Sequence, residues 1–208
     1  TLSVEDTTAE SEKFGVVGAL AQLIERENVD DDLLVVAGDN LISFDLTDFV
    51  DFFHEHETPS IVAYDVGTKE RARAYGVLDL DGTRVLDFQE KPDDPASTLV
   101  SIACYAYPAD VLPLFEEYLA DDNNPDEPGW LVQWLSTRQE VNAFSFDGAW
   151  FDIGTPESYL DAVAWHLDGE TLVADDADVS DTDLGENVHV MSGAHVSHSV
   201  VDRSVIFP

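Results

Sequence analysis

Residues 33–40 read LLVVAGDN, and the chain is best read outward from them. Leu33–Ala37 is a short unbroken apolar run that ends at Gly38-Asp39-Asn40. A strand of a parallel sheet, covered by helices on both faces, has this form because no alternation with polar residues is required. Downstream, Asp45 stands where a helix N-cap belongs, ahead of an apolar face of Leu46, Phe49, Val50 and Phe53. Ser60–Tyr64 (SIVAY) then reads as the next strand. Strand, helix and strand at this spacing make a βαβ unit and predict an α/β fold with a mostly parallel sheet. Upstream, residues 14–27 (FGVVGALAQLIERE) set Val16, Val17, Leu20, Leu23 and Ile24 in a helical stripe.

The pattern continues beyond this unit. Tyr75–Leu80 and Thr83–Phe88 flank Asp81-Gly82, a strong hairpin signal. Leu99–Tyr107 and Val141–Phe146 read as strands, and Ala109–Ala120 as a helix. Pro125–Gly129 reads as a loop before a short amphipathic helix containing Trp130, Val132, Trp134 and Leu135. Pro156 suits the first turn of a helix reaching about Leu167. After Gly169 the period changes. Val173, Val179, Leu184, Val190 and Val196 recur mostly six apart, with Ala177, Val188, Ala194 and Val200 four residues behind. A six-residue period predicts a short hexapeptide β-helix, with two ordinary edge strands as the alternative. The expected domains are therefore residues 1–168 and residues 169–208.

Composition constrains the partners and the solvent. Lys plus Arg number 9 against 44 Asp plus Glu, a formal net charge of −35. Nucleic-acid binding needs a basic patch, so it is excluded. The acids are spread along every segment, which points to a high-salt cytoplasm where screening suppresses self-repulsion. A single anionic docking face is the alternative. Three lysines remain, Lys13, Lys69 and Lys91. The apolar share of 44% is enough for a real core, and no apolar run reaches membrane-spanning length. No signal peptide is visible at the start, and the one cysteine, Cys104, reads as a buried thiol. A cytoplasmic location is expected.

Three short stretches carry candidate chemistry. Asp39 follows an apolar strand, and in open α/β sheets ligands bind at the carboxyl ends of strands. Asp152, in Trp150-Phe151-Asp152-Ile153-Gly154-Thr155-Pro156, stands at a second strand end. Each could instead serve only its own turn or helix start. A Mg²⁺ ion takes one or two carboxylates together with substrate phosphates. Glu90-Lys91-Pro92 ends the strand Thr83–Phe88. There a carboxylate can accept from hydroxyls while the ammonium pairs with a phosphate, or the two form only a surface ion pair. Asp79 and Asp81 belong to the hairpin turn, and His54 and His56 do not share a helix face.

Ala37-Gly38-Asp39-Asn40, Tyr75-Gly76-Val77, Glu90-Lys91-Pro92 and Trp150-Phe151-Asp152-Ile153-Gly154-Thr155-Pro156-Glu157, in this order, resemble the sugar-phosphate nucleotidylyltransferases. The glucose-1-phosphate thymidylyltransferase and uridylyltransferase group is the nearest in look. The resemblance covers about residues 12–168 and implies a Rossmann-like catalytic domain of the nucleotide-diphospho-sugar transferase type. The C-terminal segment resembles the left-handed hexapeptide tail that many members carry. By the resemblance, Asp39 and Asp152 are the Mg²⁺ ligands, with Asp39, Lys91 and Asp152 the catalytic set. Glu90 holds sugar hydroxyls, Lys91 the sugar phosphate, and Gly38, Tyr75 and Gly76 line the substrate site. Gly18, in the segment Gly15–Leu20, approaches the base. Ala103, ahead of Tyr105, stands where the family carries a glycine.

The implied reaction joins UTP or dTTP to a sugar 1-phosphate, glucose 1-phosphate foremost, and releases pyrophosphate. The family's Gly-x-Gly-Thr-Arg loop does not occur in these 208 residues, so the chain reads as a fragment or a truncated gene product. Without that loop, a non-catalytic sugar-phosphate-binding or regulatory module is the rival reading. A metal-dependent glycosyltransferase is a second rival. A homo-oligomer is compatible with either.

Overall fold

The computed structural model describes residues 14–208. They divide into two compact units. One runs up to Ala37 and over Phe44–Gly148; the other comprises Gly38–Ser43 and Ala149–Pro208. The expected boundary after residue 168 falls inside the second unit, and Lys13 lies outside the described residues.

The first unit is built on one six-stranded sheet. Its strands are β1 (Leu33–Val36), β3 (Ser60–Asp65), β4 (Gly76–Asp81), β5 (Arg84–Glu90), β6 (Leu99–Tyr107) and β7 (Asn142–Ser145), in the order β1-β6-β3-β7-β5-β4. The sheet is mixed, which corrects the expectation of a mostly parallel one. Among the described pairings only β3–β7 is parallel; β1–β6, β3–β6, β4–β5, β4–β6 and β5–β7 are antiparallel. The two strands of the βαβ unit do run in the same direction, but β6 lies between them. Periodicity cannot foresee this, because a strand inserted from 60 residues downstream leaves no mark on the local pattern. Nor is β1 buried on both faces. Leu34 and Val36 are 42% and 40% exposed while Leu33 and Val35 pack on the core, an alternation hidden by four apolar residues in a row.

Local chemistry sets the remaining elements. Asp45 accepts the Thr47 N–H and caps α2 (Leu46–His56), whose Phe49 and Phe53 are buried as the stripe requires. The Asp81-Gly82 signal forms the β4–β5 hairpin, with Asp81 opposite Arg84. Helices α1 (Gly15–Glu27), α4 (Pro113–Ala120) and α5 (Pro128–Ser136) share one core with the sheet, through Val17, Phe115, Leu131 and Leu135 against Leu78, Phe88 and Tyr107. Helix α5 takes in the last two residues of the expected loop, with Pro128 in its first turn, where a missing N–H costs nothing. A one-turn helix, α3 (Lys69–Ala72), precedes β4. Cys104 is buried in β6, and burial pushes its thiol up to about 12.

In the second unit β2 (Asn40–Ile42) pairs antiparallel with β8 (Trp150–Asp152), and α6 (Pro156–Leu167) follows with a Thr155–Ser158 capping box. The remaining strands are β9 (Thr171–Val173), β10 (Asp178–Ser180), β11 (Asp183–Leu184), β12 (Val188–Val190), β13 (His195–Ser197), β14 (Val200–Val201) and β15 (Ser204–Ile206). They pair in parallel with partners 16 or 17 residues on: Thr171 with Val188, Asp178 with His195, Asp183 with Val200 and Val188 with Ser204. Three small parallel sheets result, with Val188, Val190 and Ala194 fully buried among Ala177, Val179, Leu184, Val196, Val201 and Ile206. The two-edge-strand alternative does not fit this.

Candidate functional site

The Glu90-Lys91 pair lies in the first unit, at the end of β5. Hairpin register sets Gly76 opposite Glu90, and Gly76 also faces Ser101 of β6. Two glycines make room for the Glu90 carboxylate. A Cβ on Gly129, in the first turn of α5, would lie 1.6 Å from Glu90 Oε2; one on Gly76 would lie 3.0 Å from the same oxygen and 2.3 Å from Phe88 Cζ. A side chain at Gly129 would displace the Glu90 carboxylate, and one at Gly76 would also displace the Phe88 ring. Burial raises the Glu90 pKa; the Lys91 charge opposes the shift and Glu127 adds to it. The Tyr105 phenol is buried and also pushed up, by burial first and then by the Glu90 charge. The result is a half-buried, electron-rich carboxylate between two bare backbone segments and an aromatic wall, an arrangement suited to accepting hydroxyl hydrogen bonds.

Lys91 takes an unusual backbone, with φ of +43°. Its N–H donates to Tyr75 O at 3.1 Å, which ties Tyr75 to the same corner. Its ammonium donates to Glu127 Oε1 at 2.5 Å, and the indole N–H of Trp130 donates to Glu127 Oε2 at 3.2 Å. The Glu127 bond raises the Lys91 pKa, and that same bond lowers that of Glu127. Sequence reading missed Glu127 and Gly129. The one available signal was a glycine beside a proline at the start of an amphipathic helix, which periodicity treats as loop.

Asp39 and Asp152 meet within the second unit. In the β2–β8 register Asn40 lies opposite Asp152, and the Ile153 N–H donates to Asp39 O at 2.9 Å. Asn40 fixes the corner on both sides. Its Nδ2 donates to Asp39 Oδ1 at 2.9 Å, and its Oδ1 accepts the Trp150 indole N–H at 2.6 Å. The Asp152 pKa is raised, by burial first and then by the Asp39 charge. Among the described residues neither aspartate pairs with a lysine, arginine or histidine. Nor does any group of three or more Asp, Glu, His or Cys side chains form a metal cage there. Two adjacent carboxylates with no cation fit an ion that draws its other ligands from water and phosphate, as Mg²⁺ does.

The other candidates are scattered. Gly38 is exposed, with nothing within 4 Å of its absent side chain. Gly18 is buried in α1, and its N–H lies 3.4 Å from Pro125 O. Asp79 and Asp81 stay in the hairpin. His56 bonds Phe52 O and Thr83, a structural use. His195 and His198 are exposed beside Asp178 and Asp181.

This architecture is the α/β fold of the nucleotide-diphospho-sugar transferases. A Bacillus anthracis structure assigned as a glucose-1-phosphate thymidylyltransferase superposes with a TM-score of 0.64 at 24% identity, over 73% of this chain and 60% of that one. The chain belongs to the nucleotidyl transferase family, whose model matches residues 2–168. Among curated relatives, a glucose-1-phosphate adenylyltransferase of Thermotoga maritima is 31% identical over 158 residues, 71% of this chain and 37% of the relative. A Sulfolobus acidocaldarius protein assigned as a mannose-1-phosphate guanyltransferase is 26% identical over 206 residues, 92% of this chain and 54% of the relative. The chain thus spans about a third to a half of the length of these relatives. No helix among the described residues is long and apolar enough to cross a membrane.

Proposed function

We propose that this chain carries the sugar-phosphate-binding and metal-binding residues of an enzyme that transfers a nucleotidyl group from UTP or dTTP to glucose 1-phosphate. The observation that carries the reading is the adjacency of Asp39 and Asp152, 113 residues apart in sequence, at one strand end, with no cation paired to either among the described residues. The in-line attack of a phosphate oxygen on the α-phosphorus needs alignment and charge neutralisation, with no covalent intermediate. Glu90 accepts sugar hydroxyls, Gly76 and Gly129 let the ring approach the backbone, and Lys91 pairs with the sugar phosphate. Mg²⁺, held by Asp39 and Asp152, would offset the charge of the phosphates. Gly18 is assigned to the base and Gly38 to the approach of substrate. The parallel coils after residue 169 form a short left-handed hexapeptide β-helix on this reading, and the cell interior is rich in salt.

The metal role has a test that needs no turnover. Removing one carboxylate relieves the repulsion at Asp152, so Asp152→Asn melts higher than wild type in EDTA at pH 7. Millimolar Mg²⁺ raises the melting temperature of wild type and leaves that of Asp152→Asn in place, since only the two-carboxylate form binds the ion. An equal Mg²⁺ response in both proteins removes the assignment. In a longer form that turns over, the same substitution lowers the rate by orders of magnitude.

A second reading keeps only the Glu90-Lys91 corner, a half-buried carboxylate beside an ammonium held by Glu127. On that reading the chain binds sugar phosphate without activating a nucleotide. Calorimetry with glucose 1-phosphate and with UTP or dTTP separates the two: sugar-phosphate binding alone supports the second.

A further inference from the structure

We propose that Glu127 is a positioning residue for Lys91, and Trp130 for Glu127, so that the ammonium is held in place before an anion arrives. The proposal rests on the reading of Lys91 as the sugar-phosphate contact. The three side chains form one line of hydrogen bonds, with Trp130 Nε1 at 3.2 Å from Glu127 Oε2 and Lys91 Nζ at 2.5 Å from Glu127 Oε1.

The plain alternative is a surface ion pair. Its partners are 49% and 35% exposed, and pairs exposed to that degree contribute little to stability. Two features go beyond that. First, both Glu127 oxygens are engaged, by donors on different elements, whereas an ordinary pair leaves one oxygen to water. Glu127 precedes α5 and Trp130 lies in its first turn, so the carboxylate cannot swing without breaking a bond to its own helix. Second, Lys91 holds a left-handed backbone, which is unfavourable for a residue other than glycine and is kept where the surroundings over-determine it. The bond from its N–H to Tyr75 O maintains that geometry.

Prior placement has a measurable value. Ordering one long side chain at the moment of binding costs entropy and weakens that binding. If the chain Trp130–Glu127–Lys91 already holds the lysine, that cost belongs to folding. Losing the indole N–H returns it to binding, which corresponds to roughly a 3- to 10-fold loss of affinity.

The near absence of lysine makes a direct test possible. Reductive methylation with ¹³C-formaldehyde labels only Lys13, Lys69, Lys91 and the α-amine, and Lys91→Arg identifies the Lys91 signal. Trp130→Phe is the decisive variant, because it removes one N–H without changing any charge. The Lys91 signal is expected to shift in Trp130→Phe and further in Glu127→Gln, while the Lys69 signal stays. Titration with glucose 1-phosphate is expected to move the Lys91 signal of wild type, and to need 3- to 10-fold more ligand in Trp130→Phe. An unchanged Lys91 signal and midpoint in Trp130→Phe overturns the positioning chain. A wild-type Lys91 signal that ignores glucose 1-phosphate, while still shifting in both variants, leaves the chain standing and sinks the sugar-phosphate reading instead. Thermal melting of each variant separates loss of fold from loss of position.

Discussion

Replacing Gly129 by alanine adds one methyl group at the point where Glu90 leaves no space for it. The new Cβ would stand 1.6 Å from Glu90 Oε2, 2.6 Å from its Cδ and 3.2 Å from Phe88 Cε1. Non-bonded carbon contacts settle near ~3.5 Å, so the carboxylate must retreat by about 2 Å. A displacement of that size breaks any hydroxyl hydrogen bond it makes. Hydrogen bonds to charged groups contribute about 1.5–3 kcal/mol, or roughly 10- to 150-fold in affinity. Stability moves the other way or hardly at all. Gly129 is helical and has no left-handed φ, so alanine gains up to ~1 kcal/mol of helix propensity against the clash. Glu90 is half-buried and can rotate toward solvent. Calorimetry with glucose 1-phosphate beside thermal melting therefore gives a clear expectation: binding weaker by at least tenfold, with the fold intact. Wild-type affinity in a well-folded Gly129→Ala would refute the role of Glu90 and the assignment of this corner to the sugar.

The other predictions follow from charge. Glu90→Gln is expected to lose glucose 1-phosphate binding yet melt higher than wild type near neutral pH. The Glu90 carboxyl is raised by burial, so its protonated form favours folding. That stabilisation is complete below the unfolded carboxyl range and is lost as pH rises through the folded value. The melting advantage of Glu90→Gln should thus be small near pH 4 and grow toward pH 7; an advantage that does not depend on pH contradicts this. For the whole chain, a charge of −35 with few cations should leave it self-repelled in dilute buffer. Raising KCl from 0.1 M to 3 M shortens the screening length from about 10 Å to less than 3 Å and should lift the melting temperature by several degrees, read by circular dichroism. A flat or falling trend removes the high-salt interpretation of the composition.

Much of this molecule could be read from residue order alone. Asp45 as a cap, Asp81-Gly82 as a hairpin turn, the Thr155-Pro156 helix entry and the stripe of Phe49 and Phe53 are short-range effects, settled within a few residues. The Asp39 and Glu90-Lys91 stretches were legible because each follows a readable strand, β1 or β5, where backbone geometry delivers a side chain to the end of the sheet. Three things were settled only by long-range packing. Strand β6 enters between β1 and β3 and makes the sheet mixed. The β2–β8 pairing turns two distant aspartates into neighbours that repel. The α5 start brings Gly129 and Glu127 against Glu90 and Lys91. Local propensity acts over one turn or one strand, whereas these contacts join segments tens of residues apart whose meeting depends on how the core packs as a whole.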